Sequence, residues 1–221
     1  MKIFLDTSSV DVIRDYLDTG LIDGVTTNPS LMLKEGKDPL EVIRRISDLF
    51  PEDSSVSAEV TADTADEMVA LSRPYTDLGK NVTVKVPCTR EGLKACKALR
   101  DEGFKVNVTL IFSQAQAILA AKAGATYVSP FVGRVDDNSF GGLCLIKDIA
   151  NVYDKQVWYD TYILAASIRN VREVGRAFEY GANVCTLPTG VFHKMYKHVL
   201  TDAGLAQFDK DWKKVQEGLD L

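Results

Sequence analysis

Along this chain, short runs of apolar and β-branched residues alternate with stretches whose apolar positions recur every three or four residues. The short runs fall at residues 2–6, 24–28, 55–60, 81–86, 105–110, 126–131, 161–167 and 183–187 and read as strands. The longer stretches carry helix punctuation. Asp38-Pro39 reads as an N-cap with proline at the first helical position, Thr64 and Thr89 read as N-caps, and Gly103 and Gly181 as C-terminal stops. Strand and helix in strict alternation is the pattern of βα units around a parallel sheet. Eight of them predict an α/β fold, a single (β/α)8 TIM barrel spanning residues 1–221 as one domain. A doubly wound open sheet uses the same alternation. Against it, no GxGxxG follows the first strand, and polar residues gather at the ends of nearly every strand, as a closed ring requires. Two helical stretches, 189–200 and 205–218, follow the eighth strand, one more than closure needs. The second places Phe208, Trp212, Val215 and Leu219 at helical spacing, to cap the barrel or reach a neighbouring subunit.

Composition narrows the function. Hydrophobic residues at 46% and charged residues at 26% are ordinary for a globular protein, and no run of 18 apolar residues offers a membrane span. The N-terminus reads as a strand carrying an acid, not as a signal peptide, and the expected location is cytoplasmic. A net charge of −5 without a basic stripe argues against a nucleic-acid partner. Cys88, Cys96, Cys144 and Cys185 form no CxxC, so neither a disulfide framework nor a zinc site is expected. His193 and His198 lie on a late helix and read as surface or interface residues. The sequons at Asn81 and Asn107 fall in strand-like runs and are discounted.

The residue that most needs a reason is Lys85, an ammonium inside the strand-like run Asn81–Pro87. With period-two alternation Val82, Val84 and Val86 face the helices, and Thr83 and Lys85 point into the lumen. A nucleophilic lysine requires desolvation or a nearby cation. The plain alternative is a lysine that snorkels to solvent or pairs with a carboxylate. The same inward phase on the other strands yields Asp6, Thr26 and Asn28, Glu59, Asn107 and Thr109, Ser129, and Ser167, all near C-terminal strand ends. Any one of them reads readily as a strand terminus or turn former. Together, an amine among carboxylates, amides and hydroxyls suits carbinolamine and imine chemistry, in which protons move repeatedly on and off oxygen and nitrogen. Arg134, after strand six, and Arg169, after Ser167, add cations where barrels commonly hold phosphate.

The motifs FLDTS at 4–8, GVTTNPSL at 24–31, TVKVPCTREGL at 83–93, VNVTLIFSQAQA at 106–117, SPFVGRVDD at 129–137 and AASIRN at 165–170 resemble the transaldolase family. Their likeness is to its small branch, which includes fructose 6-phosphate aldolase. The resemblance implies a class I, Schiff-base-forming (β/α)8 barrel that needs no metal or organic cofactor. It would move a dihydroxyacetone unit from sedoheptulose 7-phosphate or fructose 6-phosphate to glyceraldehyde 3-phosphate or erythrose 4-phosphate in the pentose phosphate pathway. By position it implies that Lys85 forms the imine, that Asp6 is the acid/base of carbon–carbon cleavage, and that Glu59 and Thr109 hold a catalytic water. It further implies Asn28 and Asn107, with Ser129 beside them, for the donor hydroxyls, and Arg134, Ser167 and Arg169 for the phosphate. Partners implied are sugar phosphates and other copies of the chain, in a pentamer or decamer.

Two positions divide the family's activities. Fructose 6-phosphate aldolases typically carry Gln and Tyr where this chain has Glu59 and Phe131. A tyrosine hydroxyl beside an enamine can orient water, and a phenyl ring cannot. Transfer is therefore expected over cleavage. The alternatives are an aldolase releasing free dihydroxyacetone and, outside enzymology, a barrel retained as a structural or interaction protein.

Overall fold

A computed structural model describes residues 1–219 of the chain, the side chain of Leu219 excepted. The order of elements is β1 (Lys2–Asp6), α1 (Val10–Leu17), β2 (Gly24–Thr26), α2 (Pro29–Glu35), α3 (Pro39–Ser47), β3 (Ser55–Glu59), α4 (Ala65–Thr76), β4 (Val82–Pro87) and α5 (Arg90–Asp101). It continues with β5 (Lys105–Ile111), α6 (Gln114–Lys122), β6 (Tyr127–Pro130), α7 (Val132–Asp137), α8 (Gly142–Lys155), β7 (Tyr162–Ala165), α9 (Val171–Glu179), β8 (Val184–Leu187), α10 (Thr189–Lys194) and α11 (Val199–Leu219). All eight strands are parallel, and β8 pairs with β1 to close the barrel. The (β/α)8 architecture is thus the one the alternation predicts.

Outward-facing Val25, Val56, Val82, Val84, Val86, Val106, Val108 and Val128 join the helices in one continuous core. β-branched side chains suit strands buried on both faces. Several helices start where side chains take the orphan amides. Asp38 accepts from the Leu40 amide at 3.1 Å and Thr89 from that of Gly92 at 3.0 Å. Thr64 and Glu67 form a reciprocal capping box. Gly103 and Gly181 end their helices at φ of +90° and +99°.

Inside the barrel a second, smaller cluster of Phe4, Tyr127, Leu164, Ala166 and Val184 fills the lumen below the strand ends. The Phe4 and Tyr127 rings meet edge to face at 5.9 Å. Gly24 makes this floor possible, since a Cβ there would lie 2.9 Å from the Phe4 ring and 2.4 Å from the Ser55 carbonyl oxygen. Functional groups can therefore gather only above it, toward the C-terminal ends.

Two readings need correction. On β7 and the residue after it the inward positions are Leu164 and Ala166, while Ile163 and Ala165 join the outer core. Ser167 is not an inward residue of that strand. It follows the strand's end at φ +59°, and that left-handed turn re-aims it. The second correction concerns the C-terminus. The helix expected over 189–200 stops at Lys194, and α11 already begins at Val199, because His198 Nδ1 accepts from the Leu200 amide at 3.2 Å. Residues 201–204, left between the two expected helices, lie inside α11. Phe208, Trp212 and Val215 remain exposed on α11. Among the described residues no helix is long and apolar enough to cross a membrane.

Candidate active site

β3 and β4 bring Glu59 and Lys85 into direct register. Lys85 is 5% exposed, and its Nζ lies 2.8 Å from Glu59 Oε2 while donating to the Thr27 carbonyl oxygen at 3.1 Å. The carboxylate pairing that the sequence left as the plain alternative is therefore present, together with the burial that the chemical reading required. A buried ion pair of this kind is weak evidence for stability, because desolvation offsets most of its attraction. It is better evidence for a site.

Asp6, on β1, completes a second set of contacts. Its Oδ1 accepts from Thr26 Oγ1 at 2.9 Å, and Thr26 Oγ1 is also 2.6 Å from Thr186 Oγ1. Burial pushes the Asp6 carboxyl above its ordinary range; the Thr26 hydrogen bond and the charge of Lys85 act against that rise, and Glu59 adds to it.

Asp6, Thr26, Asn28, Glu59, Lys85, Ser129, Phe131, Arg134, Ser167 and Thr186 line one cavity of about 300 Å³ at the C-terminal mouth. Asn28 caps α2, its side chain accepting from the Leu31 amide at 3.0 Å. Asn107 and Thr109 are fully buried in the barrel wall and do not line the cavity. Ser129 Oγ donates to Asn107 Oδ1 at 2.7 Å, whereas Asn107 Nδ2 and Thr109 Oγ1 find no partner among the described residues. Ser57 Oγ is unpaired in the same way, and a buried polar atom without a partner is costly.

The two arginines part company. Arg134 lines the cavity, with its guanidinium 4.7 Å from the centre of the Phe131 ring, which in turn lies 5.8 Å from that of Phe112. Arg169 forms a two-pronged pair with Asp137 outside the cavity lining. That pairing holds the Asp137 carboxyl below its usual range.

A larger hollow of about 430 Å³ between α2, α3 and α4 shares Asn28, Pro29 and Glu59 with the cavity, but its lining is mainly apolar, with Met32, Leu33, Ile43 and Tyr75. The carboxylates Asp6 and Glu59 meet Lys85 in the smaller one. Three contributors escaped the sequence reading. Thr186 was within reach of it, since the inward phase applied to the eighth strand selects that residue. The Thr27 carbonyl and the side chain of Leu110 carry no signal in residue type.

The family model described as Transaldolase/Fructose-6-phosphate aldolase matches residues 3–219. The chain belongs to the transaldolase/fructose-6-phosphate aldolase family. It is 53% identical over 219 residues to a "Probable transaldolase" of Caulobacter vibrioides (strain NA1000 / CB15N), covering 99% of this chain and 100% of that one. A protein of the same name from Dinoroseobacter shibae is 54% identical over 214 residues, covering 97% of each chain. One from Symbiobacterium thermophilum is 50% identical over 213 residues, covering 96% of this chain and 97% of its own. The transaldolase/fructose-6-phosphate aldolase barrel is also similar, in fold alone, to two solved structures at 14% identity. One is an inosine 5′-monophosphate dehydrogenase from Legionella pneumophila (TM-score 0.60, covering 86% of this chain and 58% of that one). The other is a thiamine phosphate pyrophosphorylase from Pyrococcus furiosus (TM-score 0.59, 85% of each). The chain is an enzyme with transaldolase-like activity.

Proposed function

We propose that this enzyme transfers a dihydroxyacetone unit from a ketose phosphate to an aldose phosphate through an imine on Lys85. The observation that carries the reading is the buried Lys85–Glu59 pair at 2.8 Å in a cavity that also holds Asp6. Lys85 must lose a proton before its nitrogen can attack the donor carbonyl, and Glu59 is the acceptor at hand. The attack forms a C–N bond and a carbinolamine, whose hydroxyl leaves as water once Glu59 returns a proton, with the Thr109 hydroxyl holding the water in transit. Asp6 then takes the proton from the hydroxyl beyond the bond to be cleaved. That carbon–carbon bond breaks, an aldehyde leaves, and the electron pair remains as an enamine on Lys85. An incoming aldehyde reverses each step. The raised proton affinity of Asp6 suits a group that must both take and return a proton.

The Asn28 and Ser129 side chains are the donor-hydroxyl contacts in this reading, with Asn107 holding Ser129 from within the barrel wall and reaching the donor only if the wall opens, and Arg134 with Ser167 meets the phosphate. Arg169 serves the phosphate only if it leaves Asp137. Phe131 at the cavity wall supports transfer over release of free dihydroxyacetone, because a phenyl ring orients no water at the enamine. The metabolic setting is the pentose phosphate pathway, in the cytoplasm. The exposed Phe208, Trp212 and Val215 on α11 support assembly with further copies of the chain, which a light-scattering mass tests.

The decisive experiment is reduction by borohydride in the presence of fructose 6-phosphate. A three-carbon adduct on the peptide containing Lys85, and no adduct or turnover in Lys85→Met, is expected. Equal labelling of Lys85→Met would end the assignment.

A further inference from the structure

Leu110 departs from the alternation of its own strand. Asn107 and Thr109 face inward, while Val106, Val108 and Ile111 join the outer core. By simple alternation Leu110 would face the helices. Instead, β5 slips against β6: Val108 pairs with Val128 and the next register pair is Ile111 with Pro130, which leaves one extra residue on β5. That is a β-bulge, and such bulges re-aim side chains beside active sites. Leu110 adopts φ +59°, the left-handed region that leucine rarely enters. Its side chain lines the cavity with Lys85, Ser129 and Phe131.

The residue contributes to neither the outer core nor the cluster on the lumen floor. An apolar side chain, held in a costly backbone conformation and turned into the cavity that holds Asp6, Glu59 and Lys85, is accounted for neither by the two apolar clusters nor by propensity. Violations of local rules of this kind gather at functional sites.

We propose that Leu110 is a specificity-determining residue, whose isobutyl group keeps water from the enamine carbon so that the bound three-carbon unit waits for an aldehyde. The inference rests on the transfer reading of the same site. In the release reaction, water protonates the enamine carbon to give an iminium ion, and hydroxide equivalent to that water adds to the iminium carbon. The C–N bond then breaks, so one water is consumed, free dihydroxyacetone leaves and the Lys85 amine is restored. In transfer, the same enamine carbon forms a bond to the aldehyde carbon, whose oxygen takes the proton. The two outcomes compete for one carbon, and a side chain that neither donates nor accepts hydrogen bonds disfavours the one that needs an ordered water. Leu110 acts from β5 and Phe131 from the end of β6, so the wall has two independent supports.

The test compares Leu110→Asn, Leu110→Ala and Leu110→Met with the parent, using fructose 6-phosphate with and without an aldose phosphate acceptor. The reading is the ratio of free dihydroxyacetone to transferred product. Asparagine is close to leucine in size, tolerates the left-handed region and binds water. A several-fold rise in the ratio is expected for Leu110→Asn and Leu110→Ala, with Leu110→Met near the parent. The proposal is overturned if Asn and Ala keep the parental ratio, or if Met raises it as much as Asn does. Borohydride labelling is run in parallel. A labelled parent with an unmoved ratio removes Leu110 alone, while an unlabelled parent removes the imine reading and this inference with it. Thermal unfolding of each variant confirms that folded enzyme is compared, and Leu110→Ala decides the matter should Leu110→Asn not fold.

Discussion

Glu59 and Lys85 are neighbours in register on adjacent strands, and their charged ends meet at 2.8 Å with the lysine almost wholly buried. Neither strand end is free to move independently, so the proton acceptor proposed for Lys85 is held by the sheet itself. Substitution Glu59→Gln keeps the shape and a hydrogen-bonding oxygen while removing the charge. Imine formation, followed by borohydride trapping over time, should slow by roughly 10²- to 10⁴-fold, the range for loss of a general acid–base group. An unchanged trapping rate would leave Glu59 as a structural counter-ion.

Burial raises the proton affinity of Asp6, so the acid limb of kcat/KM should lie above the ordinary carboxylate range. Removing the Thr26 hydrogen bond with Thr26→Val takes away an interaction that favours the ionised form, and the limb should move to still higher pH. The same shift has a stability counterpart. Native Asp6 holds its proton more tightly than the unfolded chain does, so its contribution is full below the unfolded value and lost as pH rises through the raised native one. Asp6→Asn should therefore gain stability relative to the parent as pH is raised toward neutrality, in thermal melts, while losing activity. A limb that stays put in Thr26→Val would contradict this account.

Arg134 faces the cavity and Arg169 faces Asp137. Arg134→Ala should weaken use of phosphorylated donors by about ten- to 150-fold, the worth of one charged hydrogen bond, with little effect on unphosphorylated analogues. Arg169→Ala should cost less. Equal loss on both substrate types in Arg134→Ala would make that arginine structural, and equal phosphate-specific losses in both variants would mean that Arg169 leaves Asp137 when substrate binds.

Phe131→Tyr introduces a hydroxyl at the cavity wall with little change in volume. The variant should release dihydroxyacetone faster and lose part of its transfer rate, because water and aldehyde compete for the same carbon. An unchanged partition measured by product analysis would reduce Phe131 to packing.

The strands were legible because β-branched runs bounded by turn residues have few other uses, and Asp6, Thr26, Glu59, Lys85 and Ser129 were legible because an inward phase follows from period two. Phase fails where both faces are apolar. The run from Tyr162 to Ala166 offers no contrast between lumen and helix side, and period two carried on to Ser167 runs past the end of the strand. Leu110 was hidden for a different reason: a bulge is a fact about two strands, and neither strand's sequence shows the slip alone. The Arg169–Asp137 pair, 32 residues apart, is likewise a product of tertiary placement.

The floor of Phe4, Tyr127, Leu164 and Val184 leaves the reaction chamber without a rear exit along the barrel axis. For the proposed transfer, the departing aldehyde and the arriving one must use the same C-terminal doorway, and the second cannot dock until the first has gone. Traffic through a one-ended vessel enforces a ping-pong order on the two half-reactions, with the covalently held fragment as the only occupant during the exchange.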